Sequence, residues 1–312
     1  MSESLAVARP GAAEQGRTAV LDPRRKLQLA LAGLWLLDGL LQFQPSMFTT
    51  AFPHMLAGAA AGNPGAVASP VDWSAALIAH HLMVLNAVFA TVQLALGLGI
   101  AWRPAARLAL GASVLWAASV WFLGEGLGGV LAGTATPVNG APGAVILYAL
   151  LAALLWPAAV NRPAPFVAGR AVGQRAAQIL WLALWASLAF FSLQPSARGP
   201  HALSGTFAAM AGGQPGQPGW LAWLDTHAAS LLAGPGLPAS ILLAAAFAVV
   251  AAGTCLPVRA ARATLVLAVT LAVFTWLAEG FGGIFTGGGT DPNSGPLLAL
   301  LALAFWPTSE GA

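Results

Sequence analysis

Two glutamates stand before glycine-rich segments and form the sharpest chemical feature of the sequence. Glu125 opens the run Glu-Gly-Leu-Gly-Gly and Glu279 opens Glu-Gly-Phe-Gly-Gly. Each follows an apolar stretch that we expect to be a helix, and a carboxylate at a helix C-terminus is disfavoured by up to about 1 kcal/mol. The glycines permit positive φ and close approach of other groups to the backbone. The pattern fits the binding of a ligand, a proton or a cation, but it also fits a tight turn in which each glutamate bonds amides of its own loop.

Two asparagines occupy matching positions in the segments that follow these glycines. Asn139 and Asn293 each lie close to a proline and a threonine, and this composition predicts a turn-rich hairpin between helices. With Glu125 and Glu279, both asparagines are candidates for binding a ligand or a proton. Neither segment has EF-hand spacing or follows a strand in the manner of a phosphate-binding loop, so neither of these sites is predicted.

One further carboxylate, Asp38, lies within the first apolar stretch, with Trp35 and Gln42 on its face of the expected helix. A carboxylate inside a membrane pairs with another group, stays protonated or lines a water path, and it is a functional candidate by default. A proton relay from Asp38 towards His80 or His81 and Glu125 is one interpretation. The other is a local pairing with Gln or Trp, since polar groups within membranes often satisfy one another.

A group of histidines and methionines suggests metal binding. His80 and His81 are expected about two turns into the second apolar stretch, with Met83 and Asn86 on the same broad face as His80, and His54 lies in the preceding loop. Imidazole and thioether ligands together suit copper, particularly Cu(I). Alternatively, the polar stripe of this helix packs against neighbouring helices through hydrogen bonds.

The elements that position these residues must lie in lipid. The chain has 312 residues, of which 58% are apolar and only 7% are charged, against about 25% charged in an ordinary soluble domain. This composition excludes a soluble enzyme, a nucleic-acid-binding protein and a disordered chain. The single Cys excludes a disulfide framework and a CxxC redox pair, and the net charge of +3 is too small to indicate a polyanionic partner.

Eight apolar stretches are candidates for membrane-spanning helices, which need about 20 largely apolar residues. They are residues 27–43, 74–101, 105–123, 143–160, 176–193, 239–255, 263–278 and 296–307. The fourth and eighth are short and end in Trp-Pro, which is typical of an interfacial stop. We therefore predict an all-α integral membrane protein with eight transmembrane helices.

The distribution of positive charge predicts the orientation of the chain. With the N-terminus inside, only Arg198 of the 13 Lys and Arg residues falls on the outer side, as the positive-inside rule requires. The first 23 residues are polar and lack a cleavage site after an apolar region, so we expect no removable signal peptide. The prediction is a multi-pass plasma-membrane protein with both termini cytoplasmic.

The second half of the sequence repeats features of the first. Residues 25–46 align without a gap on 175–196, and residues 125–142 align on 279–296, where the Glu-Gly-x-Gly-Gly run and the following Gly, Thr, Asn and Pro recur. We predict a cytoplasmic tail over residues 1–23, four-helix repeats over 24–160 and 175–312, and a cytoplasmic linker over 161–174. Because each repeat has an even number of spans, the two should be parallel.

The four-span plan resembles the DoxX superfamily of small membrane proteins. The resemblance rests on the run Gln93-Leu-Ala-Leu-Gly-Leu-Gly-Ile, the basic turn Arg103-Pro-Ala-Ala-Arg107 and the Glu-Gly-Leu-Gly-Gly segment after the third helix. It implies a helical bundle and a quinone-linked partner, since the superfamily includes the small subunit of a thiosulfate:quinone oxidoreductase. The tandem arrangement and the single Cys depart from a redox function, and the resemblance assigns no catalytic residue.

Three classes of function remain open from the sequence. The first is an accessory or ligand- or ion-binding membrane protein whose working face is extracytoplasmic. The second is a proton- or cation-coupled transporter of small solutes, and the third is the membrane subunit of an oxidoreductase linked to quinone, haem or copper. The expected partners are the lipid bilayer and either another membrane protein or further copies of this chain, with no nucleic acid.

Overall fold

The computed structural model describes residues 22–157, 164–213, 216–234 and 236–308, and within these ranges the chain is helical and contains no β-strand. The predicted tail over residues 1–23 lies almost wholly outside the described residues. The α-helices are α1 (Pro23–Leu41), α2 (Ala51–Gly58), α3 (Gly65–His80), α4 (Leu82–Ala101), α5 (Ala106–Leu123), α6 (Ala144–Leu154), α7 (Val167–Val172), α8 (Gln174–Phe191), α9 (Ala202–Gly213), α10 (Gly219–Leu231), α11 (Gly236–Ala252), α12 (Val258–Ala278) and α13 (Ser294–Ala304).

Within the described ranges, four helices are long and apolar enough to cross a membrane. They are α4, α5, α11 with the 3-10 turn that follows it, and α12. Helix α1 is of similar length but carries four charged residues, and α6 and α13 are apolar but have only 11 residues each. The apolar character of the chain is therefore confirmed as membrane-compatible helix, whereas the eight-span arrangement stays a prediction.

The second predicted span differs from the structure, because residues 74–101 belong to two helices. Helix α3 ends at His80 and α4 begins at Leu82, with the intervening His81 at φ −127° and ψ 33°. The apolar pattern continues across this break, so periodicity alone could not reveal it.

The helices pack in the same order in the two parts of the chain. Helix α1 packs on α4 and α5 on α6, while α8 packs on α11 and α12 on α13. Helix α13 also contacts α1 and α6, and one hydrophobic core runs through both parts. Two aromatic pairs mark its centres: Trp35 with Tyr148 at 4.1 Å, and Trp181 with Phe305 at 4.6 Å between ring centroids.

The segment predicted as a linker contributes to this core. Residues 158–163 lie outside the described ranges, but the chain that follows them forms the short helix α7. Phe166 is buried immediately before α7, and its ring lies 4.9 Å from that of Phe305. From residue 164 onwards, the connection between the two parts thus packs against the helical core.

Polar side chains of α1 tie its beginning to the ends of other helices. The Arg25 guanidinium donates to the backbone oxygens of Ile100 and Ala101 at the end of α4, and the Gln28 amide donates to the oxygen of Leu155 at 2.9 Å. These oxygens belong to the last turns of helices, where carbonyl groups lack intrahelical partners. The start of α1 therefore caps both α4 and α6.

Candidate functional site

A cavity of about 730 Å³ lies among helices α1 to α6 and reaches the segment before α13. This volume is within the range of small-molecule sites, about 300–1,000 Å³. Three carboxylates line it, from Asp38, Glu125 and Asp291, and none of the described residues around it is Lys, Arg or His. Most of the remaining wall is apolar and aromatic.

Asp38 projects into this cavity from α1. Its residue is only 2% exposed, and its Oδ1 is buried without a hydrogen-bond partner. The hydroxyl of Tyr148 lies beside the carboxyl and is also buried without a hydrogen bond of good geometry. A buried polar group without a good hydrogen bond costs about 1–3 kcal/mol. A ligand that bonds Asp38 Oδ1 or the Tyr148 hydroxyl would recover part of this cost.

The neighbours of Asp38 on α1 hold the helix in place. One turn earlier, Trp35 donates from Nε1 to Ser113 Oγ at 3.0 Å and stacks on Tyr148. One turn later, Gln42 bonds Asn86, whose amide returns a bond to the Gln42 backbone oxygen at 2.9 Å. Both neighbours are satisfied by other partners, which leaves the Asp38 carboxyl available.

The segment after Glu125 forms a left-handed turn. Residues Gly126, Leu127, Gly128 and Gly129 have φ values of 54°, 59°, 63° and 70°. The segment after Glu279 repeats this turn, with 58°, 56°, 66° and 69° at Gly280, Phe281, Gly282 and Gly283. Three glycines in each turn relieve the steric cost of positive φ, and the turn folds each glutamate back towards the helix that follows.

Glu125 is bonded through only one of its oxygens. Oε1 accepts a hydrogen bond from the Val145 amide at 3.2 Å, in the first turn of α6, whereas Oε2 is buried without a partner. Burial raises the pKa of Glu125 to about 8, the nearby Asp291 carboxyl adds to the rise, and the Val145 amide opposes it. A pKa of about 8 favours the protonated form of this carboxyl at neutral pH.

Glu279 has partners for both oxygens. The Ser294 hydroxyl donates to Oε1 and the Ser294 amide donates to Oε2 at 3.1 Å, so the carboxyl caps the start of α13. Burial raises the pKa of Glu279 to about 8, although the Ser294 hydrogen bonds oppose the rise. Glu279 faces a second cavity of about 220 Å³, which also contains Met210, Gln217 and Asp225. The same left-handed turn follows both glutamates, but only Glu279 has hydrogen-bond partners for both of its carboxyl oxygens.

Both glutamates therefore contact the N-terminus of the helix that follows them, as well as the C-terminus of the helix that precedes them. From the sequence, only the preceding helix is evident. A helix N-terminus favours a carboxylate through its free amides and its dipole, so the unfavourable dipole expected for Glu125 and Glu279 is offset.

Asp291 is the site residue that sequence reasoning missed, because Asp291-Pro292-Asn293-Ser294 has the composition of a turn. Its Oδ2 accepts from Thr290 Oγ1 at 2.8 Å and its Oδ1 from the Asn293 amide at 2.7 Å. It lines both cavities, and burial raises its pKa. One signal was present in the sequence: the aligned position in the first half is Pro137, so the carboxylate occurs in one copy only.

The two predicted asparagines meet at the same cavity. Asn293 adopts φ 63° and accepts from the Ser294 amide at 2.9 Å, which caps α13. Its side chain lies against Gly140, where a Cβ atom would come 2.9 Å from Asn293 Oδ1. Asn139 precedes this glycine and also lines the cavity. Loops from both parts of the chain thus close one site.

The predicted metal ligands lie elsewhere. His80, His81 and Met83 are exposed around the break between α3 and α4, and His54 is exposed on α2. Met83 is exposed while Asn86, expected to share its face, is buried against Gln42. Among residues 22–157, 164–213, 216–234 and 236–308, no group of three or more His, Cys, Asp or Glu side chains could hold a metal ion. Copper binding stays a prediction, and none of its four proposed ligands lines the cavity.

Comparison with protein-family models, curated proteins and solved structures found no match to the chain. The resemblance to the DoxX superfamily therefore stays a prediction from sequence. The cavity, its carboxylates and the neighbouring asparagines are the basis for an assignment of function.

Proposed function

We propose that the protein is an integral membrane protein that binds a small ligand, from the extracytoplasmic side, in the cavity among helices α1 to α6. The observation that carries this proposal is the Asp38 carboxyl, which faces a space of about 730 Å³ and whose buried Oδ1 has no hydrogen bond of good geometry. A poorly satisfied buried polar group is costly, whereas its neighbours Trp35 and Gln42 are satisfied by Ser113 and Asn86.

The surrounding polar groups support a binding role. Asp38, Glu125, Asn139 and Asn293, all predicted candidates, line the cavity together with Asp291. The predicted topology places the loops that carry four of these five residues on the outer side. A ligand would then enter past the loops before α6 and α13 and reach Asp38 deeper in the bundle.

We also propose the eight-span, two-repeat architecture as the setting of this site. It is supported by the matching order of helix pairs and by the matching left-handed turns after Glu125 and Glu279. With Cys255 replaced by Ala, single cysteines at the exposed positions Thr134 and Ala260 test the orientation in intact cells. An impermeant thiol reagent should label Thr134→Cys and spare Ala260→Cys; the reverse pattern would exclude the proposed topology.

Two alanines of α6 offer a test of the cavity itself. Both belong to the hydrophobic core, but Ala144, which is 4% exposed, also lines the cavity, whereas Ala152 is 0% exposed and does not. In the Cys255→Ala background, a small neutral methanethiosulfonate should modify Ala144→Cys at least about tenfold faster than Ala152→Cys, because packed interiors exclude such reagents. Equal rates at the two positions would mean that the cavity is not open to ligands, and the proposed function would then fail.

A further inference from the structure

The charge of the cavity wall is of one sign. Asp38, Glu125 and Asp291 line it, and no described Lys, Arg or His does. The carboxyls of Asp38 and Glu125 each interact electrostatically with that of Asp291, so the three act on a common space. Carboxyls that share a site without a cation cannot all ionise. An anionic ligand would add to this repulsion wherever the carboxyls are ionised, so this wall disfavours an anion.

Two buried oxygens in this space lack a hydrogen bond of good geometry. They are Asp38 Oδ1, which lies beside the Tyr148 hydroxyl, and Glu125 Oε2, and both residues line the cavity. When both carboxyls are ionised, a bound group that satisfies these oxygens supplies hydrogen-bond donors or positive charge.

The rest of the wall selects the shape of that group. Trp35, Trp73, Trp116, Phe52 and Phe89 line the cavity, and the Phe89 and Trp116 rings meet edge to face at 5.7 Å between centroids. Aromatic faces attract cations, and rings around a quaternary ammonium form the recurrent site for such ligands. A bare metal ion does not fit this arrangement, since the described residues hold no converging set of three metal ligands.

We propose that the ligand is an organic cation, an amine or quaternary ammonium with an apolar or aromatic body, held between the carboxylates of Asp38 and Glu125 and the aromatic rings of the cavity. This inference rests on the proposed function and names the ligand class of the same site. The ammonium group lies towards Asp38, where the unpaired oxygen is, and the apolar body lies along Phe89 and Trp116.

A pair of probes that differ only in charge tests the inference. Benzyltrimethylammonium and neopentylbenzene have the same shape, because a quaternary nitrogen in one replaces a quaternary carbon in the other. Binding to the purified full chain in nanodiscs is measured by calorimetry, with empty nanodiscs subtracted to remove partition into lipid. The cation should bind at least about tenfold more tightly than the neutral isostere, equal to about 1.4 kcal/mol.

Variants identify the groups responsible. Asp38→Asn should weaken binding of the cation by about tenfold or more and leave the weak binding of the isostere unchanged, while Asp72→Asn, an exposed carboxylate outside the cavity, should change neither. Should Asp38→Asn fail to fold, Glu125→Gln takes its place with the same expectation, measured above pH 8, where the Glu125 carboxyl is ionised.

The outcomes separate this inference from the proposed function. Equal binding of the two probes, or preferential binding of a neutral quinone, would overturn the organic-cation assignment while leaving a ligand site. Failure of the cation to bind when Ala144→Cys is readily modified would also overturn it. Failure of Ala144→Cys to react would instead overturn the proposed function.

Discussion

Replacing Gly143 with alanine tests the geometry around Glu125. Gly143 precedes α6 with φ 114° and ψ 136°, a conformation that L-residues rarely adopt. A Cβ atom added there would lie 2.2 Å from Glu125 Oε2 and 2.8 Å from Trp121 Cδ1. The substitution must therefore push the carboxyl away from the start of α6, and the hydrogen bond from the Val145 amide breaks.

The expected cost has two parts. The strained backbone contributes about 1–3 kcal/mol, and loss of the hydrogen bond contributes about 1 kcal/mol more. Gly133→Ala is the matched control, because Gly133 also has positive φ, at 70°, but an added Cβ would meet no atom within 4 Å. Its left-handed backbone costs about 1–2 kcal/mol, with no steric or hydrogen-bonding part.

Thermal unfolding followed by tryptophan fluorescence measures the difference in detergent-solubilised protein. Gly143→Ala should lower the apparent Tm by clearly more than Gly133→Ala does. A second check uses Glu125→Ala, in which part of the clash is absent, so Gly143→Ala should cost less in that background. Equal losses for the two glycine variants, or full additivity with Glu125→Ala, would show that Glu125 does not occupy the position described.

Three further predictions concern the same carboxyls. Ser294→Ala removes the hydroxyl that donates to Glu279 and should lower the free energy of unfolding by about 1–3 kcal/mol. Ser46→Ala, which removes an exposed hydroxyl, is the control and should have little effect. Similar losses of stability in the two variants would contradict this. Burial raises the pKa of Glu125 and of Glu279 from about 4.5 to about 8, so the folded state binds these two protons more tightly than the unfolded state does. The stability that the two carboxyls contribute is therefore fully present below pH 4.5 and is lost as the pH rises through 8. The apparent Tm should fall between pH 6 and about 9, less steeply in Glu125→Gln, and a Tm that rises over this interval would be incompatible with buried neutral carboxyls. Finally, a proton on Glu125 competes with a bound cation in the cavity that Glu125 shares with Asp291, so the affinity for benzyltrimethylammonium should increase as the pH is raised to about 8; a flat or opposite dependence in titration calorimetry at several pH values would contradict this.

The sequence predicted several members of the site because their chemistry is costly in an apolar setting. Asp38 is conspicuous within an apolar helix, and Glu125 is marked by the glycines that its turn requires. Asn139 and Asn293 were identified because the same spacing occurs in both halves. These signals depend on local sequence, and the structure brings all four residues to one cavity.

Other members could not be predicted from local signals. Tyr148 lies in the apolar helix α6 and has the pattern of a core residue, while Asp291 has the pattern of a turn. Their proximity to Asp38 depends on packing of α13 and its preceding loop against α1 and α6, which are distant in sequence. The break at His81 was missed for a related reason, since apolar residues continue on both sides of it and no Gly or Pro marks it.

The contacts of Arg25 have a consequence for biosynthesis. A positive charge at the start of the first helix is the kind of signal that membrane insertion uses to set orientation, and the same guanidinium later closes the end of α4 by binding two carbonyl oxygens. Arg24 and Lys26 duplicate the charge, so they can replace Arg25 during insertion, but Lys at position 25 would lack the planar fork that reaches both carbonyls. In the proposed eight-span topology, insertion would tolerate exchange among these three residues, while the contact of α1 with the end of α4 would depend on an arginine at position 25.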